Sequence, residues 1–265
     1  MRLLDKGSSI MFKRVSIFLY GVVSYAIFFA TFLYALGFVG NFIVPRAIDG
    51  EPLLPLPVAL AIDVGLLALF ALQHSLMARP FFKRWFTKVI PESAERSTYV
   101  LASSVALIVL FALWQPLGGV VWNVTDPTAR GVLWGFFTFG WLLVLVSTFL
   151  LNHFDLFGLR QVWLQLVGRP YTPLRFGTPG PYRLVRHPLY VGWLFAFWAT
   201  PTMGATHLFF AFMTTAYILV AIQLEERDLV DSLGHDYINY RAEVPMLIPS
   251  PRSWRKRAGV ANSLR

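Results

Sequence analysis

"LYVGWLFAFWATPTMGATHLFFAFMTTAYILVAIQL", residues 189–224, is apolar almost throughout. A single membrane crossing takes about 20 apolar residues, so this run is too long for one simple span. "TPTMGAT" interrupts it, with Pro201 and Gly204 as breakers. The stretch therefore reads as a tight hairpin of two helices inside the membrane. A hairpin returns the chain to the face it left. The residues just before 189 and just after 224 should then be spatial neighbours, although far apart in sequence.

Upstream lie four more apolar segments, at about 15–39, 58–78, 98–117 and 131–151. Each is long enough to span. The expected fold is an all-α polytopic membrane protein. It has four transmembrane helices plus a C-terminal membrane helical hairpin, about five to six membrane segments. Composition agrees: of 265 residues, 56% are hydrophobic and only 14% charged, against about 25% charged in soluble domains. We expect one membrane domain over 1–265, with N-terminal helices at 15–151, a core at 152–249 and a basic tail at 250–265. The N-terminal apolar run is too long for a signal peptide and no small-residue cleavage site closes it, so it reads as a retained first span.

The net charge of +9 sits mostly in loops between apolar runs. That pattern is topology charge facing anionic lipid rather than a nucleic-acid surface. Arg2, Lys6, Lys13 and Arg14 flank the first span; Arg79, Lys83, Arg84, Lys88 and Arg96 fill the second loop; the other side offers only Arg46 and Arg130. Both termini and the basic loops are thus expected in the cytoplasm, with a bacterial inner membrane as the natural location. The chain has no cysteine, which excludes disulfides, thiolate metal sites and a cysteine nucleophile. No Walker, GxGxxG or HExxH pattern occurs, and no residues show persuasive metal-ligand spacing.

Ionisable residues near membrane segments are costly and often functional. Asp63, Leu67, Phe70 and His74 share one face of the second segment by helical periodicity. Asp63 is expected near the outer headgroups; His74 serves equally as a structural helix-end residue or a functional one. "NHFDLFG", residues 152–158, ends the fourth segment. Asn152, His153 and Asp155 there form either a helix cap or a polar cluster over a substrate pocket. His207 at the hairpin bend and His235 in the tail are given no role. The loop before the hairpin, "GPYRLVRHPLYVG" at 180–192, is rigid and cationic. Pro181 and Pro188 restrict the backbone, Gly180 and Gly192 permit close approach, and Arg183 and Arg186 offer forked donors. Taken alone it suits lipid headgroups. Glu225 and Glu226, at the hairpin exit, change that reading, because the fold brings them to the same face. One side binds a carboxylate; the other binds hydroxyls or an ammonium group.

"GPYRLVRHPLYVG", a helical hairpin, then "EERDLVDSLGHDYINYRAEVP" resemble the isoprenylcysteine carboxyl methyltransferase superfamily over about 178–249. "QHSLMARPFFKRWFTKVIPESAERSTYVL" and "NHFDLFGLRQVWL" are similar to a narrower group, the bacterial methanethiol S-methyltransferases with their NnrU-like N-terminal half. The prenylcysteine enzymes lack those segments, which argues against a prenylated acceptor. The resemblance implies methyl transfer from S-adenosylmethionine to a small thiol. Methanethiol would give dimethyl sulfide and S-adenosylhomocysteine. It also implies that Gly180, Pro181, Tyr182, Arg183, Arg186, His187, Pro188 and Tyr190 line a cytoplasmic cofactor site from the loop side. Glu225 and Glu226 face it, and Tyr237, Tyr240 and Arg241 brace it. The thiolate is the nucleophile, and His153, Asp155 and His74 are the candidate bases, His153 being preferred. Other acceptors on the same scaffold (another thiol, a lipid amine or an isoprenoid carboxylate), a non-enzymatic NnrU-like accessory factor and a lipid-binding scaffold stay open, as does the oligomeric state.

Overall fold

The computed structural model describes residues 2–250, with side chains from residue 9 onward. Apart from Ser250 the basic tail lies outside the described residues, as do the side chains of Arg2 and Lys6. In hydrocarbon every backbone N–H and C=O must be satisfied within its segment, so the apolar runs fold as helices. They are α1 (Arg2–Gly40), α2 (Leu56–Ala78), α3 (Pro80–Phe86), α4 (Glu92–Leu113), α5 (Pro127–Leu150), α6 (His153–Leu156), α7 (Leu159–Leu166), α8 (Pro188–Trp198), α9 (Ala205–Leu233) and α10 (His235–Glu243). Two short strands, β1 (Val120–Asn123) and β2 (Thr202–Gly204), pair as a ribbon that the hydropathy pattern does not signal. Five helices among the described residues are long and apolar enough to cross a membrane: Ser9–Gly40 within α1, then α2, α4, α5 and α9. The chain is an all-α polytopic membrane protein.

Helix ends follow local chemistry. Proline opens α3 and α8, where its missing N–H costs nothing. Asp126 caps α5, accepting from the Ala129 N–H at 2.8 Å. Glu92 and Glu95 favour the N-terminal dipole of α4. That helix stops at Leu113, short of the expected 117, because Pro116 biases the preceding backbone away from helix.

The chain forms two compact units: residues 1–121, 152–173 and 204–207, and residues 122–151, 174–203 and 208–265. In the first, α1 and α2 flank α4, and α7 packs on α1 and α4. Phe38 packs against Phe111 and, edge-on, against Trp114 at one end, with ring centroids 4.7 and 5.9 Å apart. Asp63 is fully buried in the protein. It accepts the Gln115 N–H at 2.9 Å, a donor that the early end of α4 releases. His207 is also completely buried. Its backbone N–H donates to Asp49 at 3.1 Å, which ties down the start of α9.

In the second unit α5 packs along α8. The hairpin is asymmetric. The 11 residues of α8 rise about 16 Å, half of a hydrocarbon core about 30 Å thick. The 29 residues of α9 rise about 43 Å. Between them residues 199–204 run without helix, and Ala199, Thr200 and Met203 are buried in protein. Such backbone survives at membrane depth only when its polar groups are met. Trp122 Nε1 donates to the Thr200 carbonyl at 3.1 Å and the Val124 N–H to that of Pro201 at 2.9 Å.

Candidate active site

The hairpin brings the cationic loop and the Glu pair together within the second unit. Gly180 opens a single 3-10 turn, Gly180–Arg183, with φ +52, a left-handed conformation that favours glycine. After Val185 the backbone N–H groups find partners across the chain. The Arg186 N–H donates to the Pro245 carbonyl at 2.9 Å and the His187 N–H to that of Met246 at 3.2 Å. Pro188 then starts α8. Tyr240 on α10 donates its hydroxyl to the Tyr182 carbonyl at 2.6 Å. Arg186 Nη1 donates to the carbonyls of Arg241 and Val244. The expected bracing by Tyr240 and Arg241 thus takes the form of main-chain contacts on the loop.

The two glutamates differ. Glu226 is 6% exposed; its Oε1 accepts Arg186 Nε at 2.7 Å and faces His187 Nε2 at 3.0 Å. Both partners are inside as well, with side-chain exposures of 11% for Arg186 and 5% for His187. This is a buried, charge-assisted clamp. The Glu225 side chain is 45% exposed and accepts the Tyr190 hydroxyl at 3.0 Å. His187 Nδ1 lies 3.9 Å from the same carboxylate oxygen. Arg183 is exposed, its Nε donating to the Thr178 carbonyl at 3.3 Å. The Tyr182 phenol is buried and held well above the ordinary tyrosine value, first by burial and then by the Glu225 carboxylate. Burial and the Glu226 carboxylate do the same to Tyr237. Both phenols are therefore neutral at neutral pH.

The acid–base candidates lie in the first unit. Asn152 breaks the chain after α5 at φ +84, and its side chain accepts the Asp155 N–H at 3.1 Å. It caps the start of α6 rather than continuing the fourth span. Asp155 is fully engaged: Arg160 Nη1 reaches Oδ1 at 2.7 Å and the Tyr171 hydroxyl reaches Oδ2 at 3.2 Å. Arg160 also holds the Thr172 carbonyl and hydroxyl. A carboxylate paired in this way works as a staple for residues 171–172. His74 shares a face with Phe70, its ring 5.2 Å away, and hydrogen-bonds Ser103 and Tyr99 from α4 at 3.0–3.1 Å.

His153 is 3% exposed, with Nε2 2.8 Å from the Tyr25 hydroxyl and rings of Tyr25, Phe154 and Phe157 around it. Burial holds it below the ordinary histidine value, so it is neutral at neutral pH. The unfolded chain then takes up this proton more readily than the folded one. The stability tied to neutral His153 is complete above about pH 6.5 and is lost as pH falls toward the lower folded value. A His153→Asn variant should therefore show a flatter fall in thermal midpoint between roughly pH 6.5 and 5 than the parent chain. Superimposable pH profiles would contradict this. Tyr25, 128 residues away in sequence, carries no local signal that would single it out.

No family model matches the chain, and no solved structure matches it significantly. Named relatives do. It is 54% identical over 242 residues to a methanethiol S-methyltransferase of Crocosphaera subtropica, covering 91% of this chain and 95% of that protein. A methanethiol S-methyltransferase of Mycobacterium tuberculosis is 52% identical over 239 residues, 90% of this chain and 98% of its own. Human nurim is 35% identical over 179 residues, 64% of this chain and 68% of its own. With apolar membrane-crossing helices and half-identity over nine-tenths of its length, the chain belongs to the methanethiol S-methyltransferase family of integral membrane proteins.

Proposed function

We propose that this protein transfers a methyl group from S-adenosylmethionine to methanethiol, releasing dimethyl sulfide and S-adenosylhomocysteine on the cytoplasmic side of a bacterial inner membrane. The observation that carries the cofactor assignment is the joining of Arg186, His187 and Tyr190 to Glu225 and Glu226 across 35–40 residues of chain. The donor set suits a zwitterionic amino acid attached to a ribose. Glu225 is exposed enough to accept hydroxyl or ammonium donors, and Arg183 presents an exposed guanidinium to a carboxylate. Glu226, with Arg186 and His187, holds the loop in place. When bound, the cofactor supplies an electrophilic methyl group on a sulfonium.

The rest is what this chain contributes. Its apolar spans let a small thiol partition into the protein from lipid. Orientation of the acceptor in such a site is worth several kcal/mol, up to about 7–11 in favourable systems. Exclusion of water favours a step in which thiolate and sulfonium charges cancel. His153 is the base in this reading, since it is a neutral imidazole whose Nε2 meets only a hydroxyl, that of Tyr25, whereas Asp155 is tied to Arg160.

Headspace gas chromatography of the purified protein with methanethiol and S-adenosylmethionine tests the reading. The parent chain should give dimethyl sulfide. Glu225→Ala should need at least about tenfold more S-adenosylmethionine, the loss expected for a hydrogen bond to a charged group. A Glu225→Ala enzyme with unchanged cofactor KM would remove Glu225 from the site. No product from a parent chain that still binds S-adenosylhomocysteine would shift the reading to a different acceptor. A folded His153→Ala variant with full turnover would remove His153 as base.

A further inference from the structure

Helix α3 has two apolar faces, and the protein covers one of them. Phe82, Phe86 and Ile90 are half-buried, with the Phe82 and Phe86 rings 5.4 Å apart. Phe81, Trp85 and Val89 form the other stripe, at i, i+4 and i+8, and are 57%, 57% and 72% exposed. Helical hydrogen bonds continue past the end of α3, from the N–H groups of Thr87 to Ile90, so the stripe is continuous. Arg84 and Lys88 are exposed beside it. Neither forms a hydrogen bond or ion pair with another described side chain. A single residue, Arg79, separates α3 from the end of the membrane-crossing α2. The stripe therefore lies at headgroup depth.

Ile90 also begins a groove. About 330 Å³ in volume, it runs between Ser16, Ile17 and Tyr20 of α1 and Ile90, Pro91 and Ala94 at the start of α4. Its floor is the packed cluster of Ile17, Ala94 and Val162. The Tyr20 hydroxyl is spent on Thr98 Oγ1 at 2.9 Å, so the lining is apolar in effect. Lys13 lies one turn before Ile17 on the same helix face. An apolar groove at the end of two spans, flanked by cations and by an exposed aromatic stripe, matches one kind of occupant: a lipid with an acyl chain and a negative headgroup.

We propose that this groove and the outer face of α3 bind an anionic phospholipid of the adjoining leaflet, an acyl chain lying along Ile17, Tyr20 and Ile90 and the phosphate between Arg84 and Lys88. The site is built wholly within the first compact unit. It does not depend on the methyl-transfer reading.

Native mass spectrometry of the full chain in detergent, titrated with phosphatidylglycerol or phosphatidylcholine of identical chains, tests this. Phosphatidylglycerol should be retained at concentrations on the order of 10-fold lower, since each cation near a charged headgroup contributes about fivefold. The double variant Arg84→Gln/Lys88→Gln should retain the two lipids equally. Ser16→Trp, an exposed substitution at the groove, should weaken retention of both. Equal retention by the parent chain overturns the proposal, as does a preference that survives the double variant. Unchanged retention by Ser16→Trp overturns the groove as the acyl site.

Discussion

Glu226→Ala should lower stability by about 3–5 kcal/mol, the range for removing one partner of a buried ion pair, and should abolish S-adenosylhomocysteine binding. The carboxylate leaves behind a guanidinium and an imidazole that are 11% and 5% exposed. Arg186 keeps its bonds to the Arg241 and Val244 carbonyls, but its charge is then buried without a counter-ion. Glu225→Ala removes a half-exposed group and one hydrogen bond from Tyr190, for about 1 kcal/mol of stability. Adjacent glutamates should thus separate cleanly: the thermal midpoint in detergent falls on the order of 10 °C for Glu226→Ala and little for Glu225→Ala, while calorimetry shows ligand binding lost in the first and weakened in the second. Equal midpoints for the two variants would show that the buried clamp is not what holds the loop.

The second large effect is expected at the crossing of α5 and α8. A Cβ on Gly192 would lie 2.8 Å from the Gly140 carbonyl oxygen and 2.8 Å from the Val144 nitrogen. One on Gly140 would lie 2.5 Å from the Ala196 nitrogen and 2.7 Å from the Gly192 carbonyl oxygen. These are backbone atoms, which cannot rotate away as a side chain can. Small residues at such crossings let membrane helices approach closely. Gly192→Ala should force α8 off α5 at a cost of about 1–3 kcal/mol. Since α8 begins at Pro188, directly after His187, the shift is passed to the 180–187 loop. We expect S-adenosylhomocysteine affinity to fall at least about tenfold, roughly the lower half of that free-energy range. Gly135→Ala on α5, where a Cβ meets nothing within 4 Å, should instead gain up to about 1 kcal/mol of helix propensity. Parent-like binding by Gly192→Ala would mean that the loop is not positioned through this crossing.

Much of the site was legible before any coordinates. An overlong apolar run broken at Pro201 and Gly204 has to fold back, and folding back has to bring 180–190 to Glu225 and Glu226. The run does break there, over residues 199–204, and Arg186 meets Glu226 at 2.7 Å. The shared face of Asp63, Leu67, Phe70 and His74 also follows from helical spacing, and the Phe70 and His74 rings do stack.

Local sequence determined the helices, because in lipid an apolar segment has no other way to satisfy its backbone. It determined the breaks as well, through proline and glycine. Tertiary structure decided how each polar residue is used. Glu225 and Glu226 are neighbours about 100° apart around a helix, and only the packing of α8 and α10 makes one a buried clamp and the other a half-exposed acceptor. Asp155 becomes a staple because Arg160 and Tyr171 fold onto it, and His153 becomes a buried neutral imidazole because Tyr25 closes over it from α1. Burial and pairing set the charge and reactivity of these groups. Both are properties of neighbours that arrive from elsewhere in the chain.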